Sequence, residues 1–338
     1  MPVKRKLVLA LILKLILVIL VVKLYQDIVL EAENSGIDKN VNPGVKLGGI
    51  LIEKELGEEP DRDDLVNFIE KVALEYETEP QDASIEPSTK EAVPGLNGKE
   101  VDIESTLELI YSAKENTEVE PVTESVEPEV TLKELDPAPV YRGNPRAQRV
   151  SFICNVAWGG EYIADMLDVL EEYQAQVSFF LEGRWARNNP GKVEKIYENG
   201  HEIGNHAYSH YNMSTLNREL IHEELIKTQE TIEKIIDKKT ELFGPPAGDY
   251  DKRVIEEANK LSMQTIMWSL DTVDWMEPGT ENMTRKILDN VHPGAFILMH
   301  PTEDTVKALK KILIGLQEKS YKVVPVSKQV EGCLNNES

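Results

Sequence analysis

His206 and His210 stand four residues apart in Gly204-Asn205-His206-Ala207-Tyr208-Ser209-His210. Side chains at that spacing share one face of a helical turn, so both imidazoles can reach one ion. Neutral imidazole is the commonest metal ligand and suits zinc and the other divalent first-row metals. Alone the HxxxH spacing is a weak signal, because one capping and one surface His would read the same way. Its weight comes from other polar residues placed where apolar runs end. Glu182 follows Val177–Leu181, Asp271–Trp275 follow Ile266–Leu270, and His300 closes the run that starts at Ala295.

The elements needed to position these groups follow from pattern. Strands are expected over Val150–Val156, Val177–Leu181, His201–Asn205, Ile266–Leu270, Ala295–His300 and Lys322–Pro325. Between them helical periodicity covers Glu161–Tyr173, Lys192–Asn199, Arg218–Asp237 and Asp304–Lys319. Strand–helix alternation of this kind implies an α/β fold with a parallel sheet or barrel. In a barrel, site residues gather at the carboxyl ends of the strands. Glu182, the 206–210 turn, Asp271–Trp275 and His300 all fall there, which makes one site of scattered residues.

The first half of the chain differs. Lys4, Arg5 and Lys6 precede an apolar run from Leu7 to Val22, interrupted by Lys14 and closed by Lys23. Sixteen helical residues span about 24 Å, short of the roughly 30 Å hydrocarbon layer. With no small-residue cleavage signal after it, residues 1–23 read as an uncleaved signal-anchor, with a cleaved signal peptide as the alternative. The basic amino end places the rest of the chain outside the cytoplasm, anchored to the membrane or secreted. Residues 24–42 read as a stalk. Residues 51–140 carry 26 acidic and 7 basic side chains, most of the chain's net charge of −23. Such acidity argues against nucleic acid, whose phosphates need Lys and Arg.

High charge and few aromatics would also suit a disordered tail, but an apolar pattern runs through residues 43–137. Val45–Ile52 reads as a strand, Asp64–Ala73 and Glu104–Ala113 as helices, Val119–Val130 as extended chain, and Asn97-Gly98 as a turn. A small acidic α/β domain is therefore expected over 43–137. Residues 138–148 come next as a linker, and Pro137, Pro139 and Pro145 hold the surrounding stretch out of regular structure. Residues 149–330 form the main domain and 331–338 a tail. The two cysteines, Cys154 and Cys333, provide no disulfide framework. Cys154 is expected in the core.

Five blocks in order give the main domain a family likeness. They are Phe152–Gly159, His206–His210, Phe243-Gly244-Pro245-Pro246-Ala247-Gly248, Asp271-Thr272-Val273-Asp274-Trp275 and Ile297-Leu298-Met299-His300. With Gly200-His201-Glu202-Ile203-Gly204-Asn205-His206, they resemble the polysaccharide deacetylases of NodB type, carbohydrate esterase family 4. Their Ala157-Trp158-Gly159 is similar to the sporulation-type branch. The resemblance implies a distorted (β/α) barrel and removal of N-acetyl groups from a peptidoglycan or chitin-like glycan. It implies one divalent ion (zinc, cobalt or nickel) on His206 and His210, His300 as general acid and Asp274 as its orienting carboxylate. Trp275, Leu298 and Pro246 then match the substrate pocket. In the first half, Pro43–Gly49, Pro80–Ala83 and Gly95–Asp102 resemble a peptidoglycan-binding domain found beside VanW-like proteins.

The departures carry as much information. The family's first block holds two carboxylates, a base and a metal ligand, where this chain has Asn155 and Val156. An amide does not accept a proton near neutral pH, and losing a general base costs about 10²–10⁴ in rate. Two protein ligands remain where catalytic zinc usually has three, so metal affinity should be weak. The family's third block opens with an Arg paired to the base, and here it is Gly244. Three readings result: a deacetylase whose base has moved, a glycan-binding or scaffolding member without activity, and a metal-dependent hydrolase of another amide or ester. Glu182 is the best substitute base, with Asp249 and Glu303 behind it.

Overall fold

The computed structural model describes residues 40–331. The expected anchor, nearly all of the stalk, Cys333 and most of the tail lie outside the described residues. Among the described residues, no helix is long and apolar enough to cross a membrane.

The chain forms two compact units. In the first, Lys46–Leu47 pairs antiparallel with Ile50–Leu51 and parallel with Glu118–Val119. The expected single strand over 45–52 is thus a tight hairpin, turned by Gly48 and Gly49 at positive φ. Helices Arg62–Ala73 and Ile103–Ser112 start at Asp61 and Asp102, whose carboxylates accept from backbone N–H groups three residues on. Their apolar faces supply Leu65, Phe68, Ile69, Leu107 and Ile110 to a buried core.

The second unit takes residues 76–100 as well as the described residues from Thr123 on. That divides the stretch expected to be one domain over 43–137. Ala92 and Val140 join a buried cluster with Ile153, Phe180, Ile266, Phe296 and Leu298, and Ile85, Leu132 and Ala138 pack against it. The stretch expected to be a linker is built in as well: Val140 bridges both Ala92 and Ile266. Asn97-Gly98 makes no turn. Gly98 opens the strand Gly98–Val101, and a Cβ there would lie 2.3 Å from the Thr78 carbonyl oxygen.

An eight-stranded parallel sheet forms the body of this unit. In spatial order it runs Gln264–Thr265, Leu242–Phe243, Glu202–Asn205, Ser178–Leu181, Arg149–Val156, Phe296–Met299 and Leu270–Asp271, with Lys322–Val323 paired to the start of Arg149–Val156. The two outer strands do not pair with each other, so the sheet curls into an open half-barrel rather than a closed ring. Alternation along Arg149–Val156 sorts the side chains. Val150, Phe152, Cys154 and Val156 enter the large cluster with Leu167 and Leu170 of helix Ile163–Glu172 and Leu309 and Ile312 of helix Glu303–Glu318, while Ile153 joins the cluster within the curl. Cys154 is buried, with Sγ 3.8 Å from Met166 Sδ.

Candidate active site

Every residue singled out for chemistry, apart from the pocket wall Leu298 within the strand Phe296–Met299, lies at or beyond the carboxyl end of a sheet strand. His300 directly follows Phe296–Met299. Its backbone N–H donates to Asp274 Oδ2 (2.6 Å) and its Nδ1 to Asp274 Oδ1 (2.7 Å). Thr272 and Thr305 hydroxyls donate to the same carboxylate at 3.0 and 3.2 Å. Burial alone would raise the Asp274 pKa, but the hydrogen bonds and charge of His300, with Thr272, hold it below the ordinary carboxylate value. Asp274 therefore fixes the ring with Nδ1–H inward, leaving Nε2 to meet a ligand. The turn that does this is strained, since Val273 and Glu277 on either side of Asp274–Met276 both have positive φ. That turn buries Asp274 and leaves Trp275 60% exposed. The Trp158 ring stacks on His300, centroids 5.6 Å apart and 11° from parallel.

His206 and His210 also come together, though not on a helix. Residues 206–210 form a turn with positive φ at Ala207 and His210, and the two rings meet edge to face with centroids 5.1 Å apart. Glu224 holds the turn by accepting from the Tyr208 and Ser209 N–H groups at 2.9 and 2.6 Å. Sequence reading missed Glu224, whose place on helix Arg218–Ile236 gives no hint of a partner 15 residues back. His206 is buried and donates from Nδ1 to the Gly244 carbonyl oxygen (2.6 Å). That fixes the tautomer with the Nε2 lone pair free, as metal-binding histidines require. Burial, with His210 beside it, lowers the His206 pKa to about 3. His206 thus stays neutral far below the pH of about 6.5 expected for an ordinary imidazole.

The position expected to hold a base carries none. Asn155 is buried and its Oδ1 has no hydrogen-bond partner. Gly244 brings no guanidinium, and a Cβ there would lie 3.0 Å from the buried Phe180 ring. Val156 is wholly buried in the apolar layer facing the helices. Among the described residues, no group of three or more His, Cys, Asp or Glu could hold a metal ion. The substitute carboxylates are occupied elsewhere. Glu182 caps the helix Gly183–Asn188, accepting from Trp185 N–H (3.0 Å) and Arg184 Nε (3.2 Å). Asp249 accepts from the Ser214 N–H and hydroxyl at 2.7 and 2.8 Å. Glu303 is exposed and paired with Lys307. Leu298 and Pro246, expected as pocket walls, are buried.

The half-barrel thus carries an Asp-held imidazole and a histidine pair together at its carboxyl end. Residues 143–266 match the polysaccharide deacetylase family model, and residues 25–120 match that of a peptidoglycan binding domain. A Bacillus cereus peptidoglycan-N-acetylglucosamine deacetylase is 34% identical over 49% of this chain and 80% of its own length. An uncharacterized Bacillus subtilis protein, YlxY, is 40% identical over 80% of this chain and 84% of its own. A solved Bacillus anthracis structure, described as a carbohydrate esterase family 4 pseudoenzyme, superposes with a TM-score of 0.71 at 37% identity, covering 79% of this chain and 95% of that one. A mutant of that pseudoenzyme, also solved, is described as having restored enzymatic activity. The chain belongs to the polysaccharide deacetylase family, carbohydrate esterase family 4.

Proposed function

We propose that this protein is a wall-associated member of the family that binds N-acetylated glycan and, as it stands, hydrolyses it very poorly. One observation carries the reading: Asn155 sits buried with an unpaired carbonyl oxygen where the reaction needs a carboxylate. The half that protonates a leaving amine is intact in His300 and Asp274, while the half that activates water is missing. Glu182 supports no relocated base, because both its oxygens are already engaged. The description of the Bacillus anthracis relative as a pseudoenzyme fits this division.

The residues present fit a divalent ion only in part. His206 offers a neutral Nε2 and His210 lies beside it, but among the described residues no third protein donor joins them. A bound ion would polarise an amide carbonyl, yet with two donors we infer weak binding of zinc, cobalt or nickel and derive no hydrolytic step through it. The partner is a cell-wall glycan, peptidoglycan before chitin-like polymers, supported by the peptidoglycan-binding domain match. The location is extracytoplasmic, with the basic-then-apolar amino end as membrane anchor. The test is binding and acetate release side by side, with chitooligomers and peptidoglycan, in the presence of zinc. Glycan binding with acetate near background supports the reading, and turnover at the level of an intact family member overturns it.

A further inference from the structure

We propose that a groove at the opposite end of the half-barrel is a second binding site, for an extended peptide carrying both carboxylate and amine groups. A cavity of about 1220 Å³ opens there, lined on one side by Arg149, Gln176, His201 and Lys322. Arg149 and Lys322 begin the parallel strands Arg149–Val156 and Lys322–Val323, His201 directly precedes Glu202–Asn205, and Gln176 lies two residues before Ser178–Leu181. Asn155, His206 and His300 lie at the other ends of strands. At about 3.3 Å per residue the strand Arg149–Val156 puts roughly 23 Å between the two ends, so a ligand here leaves the histidine site free.

The other wall tells what kind of ligand fits. It comes from the two-stranded sheet of Gly98–Val101 and Thr123–Val126. Lys99 of the first strand lines the groove together with Asn97, which directly precedes that strand. From the second, Thr123, Glu124 and Ser125 line it consecutively, which a strand can do only by presenting its edge. Lys99 exchanges both backbone hydrogen bonds with Thr78, at 3.0 and 2.9 Å, so Thr123–Val126 lies on the other side of its strand. Beyond Thr123–Val126 no further strand or bridge follows among the described residues. An open strand edge is a template for an added extended chain.

Side-chain chemistry agrees. Asn97 is buried, its Nδ2 donates to Ser125 Oγ (3.0 Å), and its Oδ1 has no donor. Such an oxygen calls for an N–H, which a peptide has at every residue. Lys99, Lys322 and Lys328 line the groove together with Glu124, Glu127 and Glu171, suiting a ligand with charges of both signs. No Trp, Tyr or Phe lines the groove, so it lacks the flat apolar surface that would take the face of a sugar ring.

The test is hydrogen exchange on the full chain with three probes: a linear L-peptide of mixed charge, a wall tetrapeptide containing diaminopimelate, and chitotetraose. Only the choice of the tetrapeptide rests on the wall reading above. Either peptide should slow exchange over residues 123–127 while chitotetraose does not. Lys99→Glu with Lys322→Glu should weaken peptide binding about tenfold, as losing a charged contact does, with an unchanged melting temperature. Protection by the linear peptide alone leaves the groove standing and counts against the wall as its source. Absence of protection at 123–127 with both peptides, or protection by chitotetraose, overturns the proposal. If the double variant does not fold, the exchange pattern of the unaltered chain decides.

Discussion

Asn155→Asp places a carboxylate at the position expected to hold the base, in a chain that also lacks the Arg expected beside it. Position 155 is buried, its side-chain oxygen has no donor, and Gly244 contributes no cation. Burial without a partner raises a carboxyl pKa by up to 3–5 units. Taking about 2–3 units for a site near a strand end, at 1.36 kcal/mol each, the ionised form costs about 3–4 kcal/mol. Linkage sets the sign. The unfolded chain loses its proton near pH 3.9 and the folded one only at higher pH, so the folded state binds more protons in between and stability falls as pH rises. Below about pH 4 the variant should match the unaltered protein, and at pH 8 it should show the full deficit. Urea denaturation at several pH values measures this, read from the midpoint at constant m. A variant as stable as the unaltered protein at pH 8 would refute the reasoning. It would mean that position 155 already has a counter-charge, and that a base there could work.

Asp274→Asn should cost about 3–5 kcal/mol, because four donors converge on that buried carboxylate; unchanged chemical denaturation would contradict its role as the anchor of His300. His201, whose pKa burial lowers to about 4, binds its proton in the unfolded chain first. Stability should therefore be full above about pH 6.5 and fall towards pH 4 by about 3 kcal/mol. Glu202, whose carboxyl burial pushes up, slopes the other way, so the readout is the difference between the unaltered chain and His201→Gln, which should lack the His201 slope. A chain starting at Arg142 should lose on the order of 3–6 kcal/mol, since it lacks Ala92 and Val140 from the inner cluster. A chain starting at Tyr76, with 101–122 replaced by a short flexible linker, should keep that stability; equal midpoints for the two would sink this account of the boundary.

Most of the main domain was legible because its strands are buried runs bounded by turn residues and its helices carry one apolar face. Arg149–Val156 and Arg218–Ile236 fall within a residue of expectation. That the expected site residues gather at one end was legible because strand ends in a parallel sheet share one location. The expected strand Ile266–Leu270 is instead two short ones, Gln264–Thr265 and Leu270–Asp271, and other features were not legible either. The 206–210 turn has helical spacing in sequence, but its shape comes from Glu224 and two left-handed residues, which no local pattern encodes. The Pro-rich stretch around Val140 looked like a linker because bridges to Ala92 and Ile266 lie far away in sequence. Glu182 looked free to act as a base because its capping of Trp185 N–H depends on where the strand stops. The coupled loss of the base and its Arg is visible in the residue types alone, but the Phe180 ring packed against Gly244 is not.

Acetate release from N-acetylated glycan with saturating zinc tests the central claim most directly, comparing the unaltered protein with Asn155→Asp/Val156→Asp/Gly244→Arg. Gly244→Arg must displace Phe180 by a few tenths of an ångström, and Val156→Asp must turn a carboxylate out of an apolar layer, so the melting temperature is followed alongside. The account predicts release near background for the unaltered protein. It predicts a gain of about 10²-fold or more in the folded triple variant, with His300→Ala abolishing that gain. Rapid release by the unaltered protein that Glu182→Gln stops would contradict it.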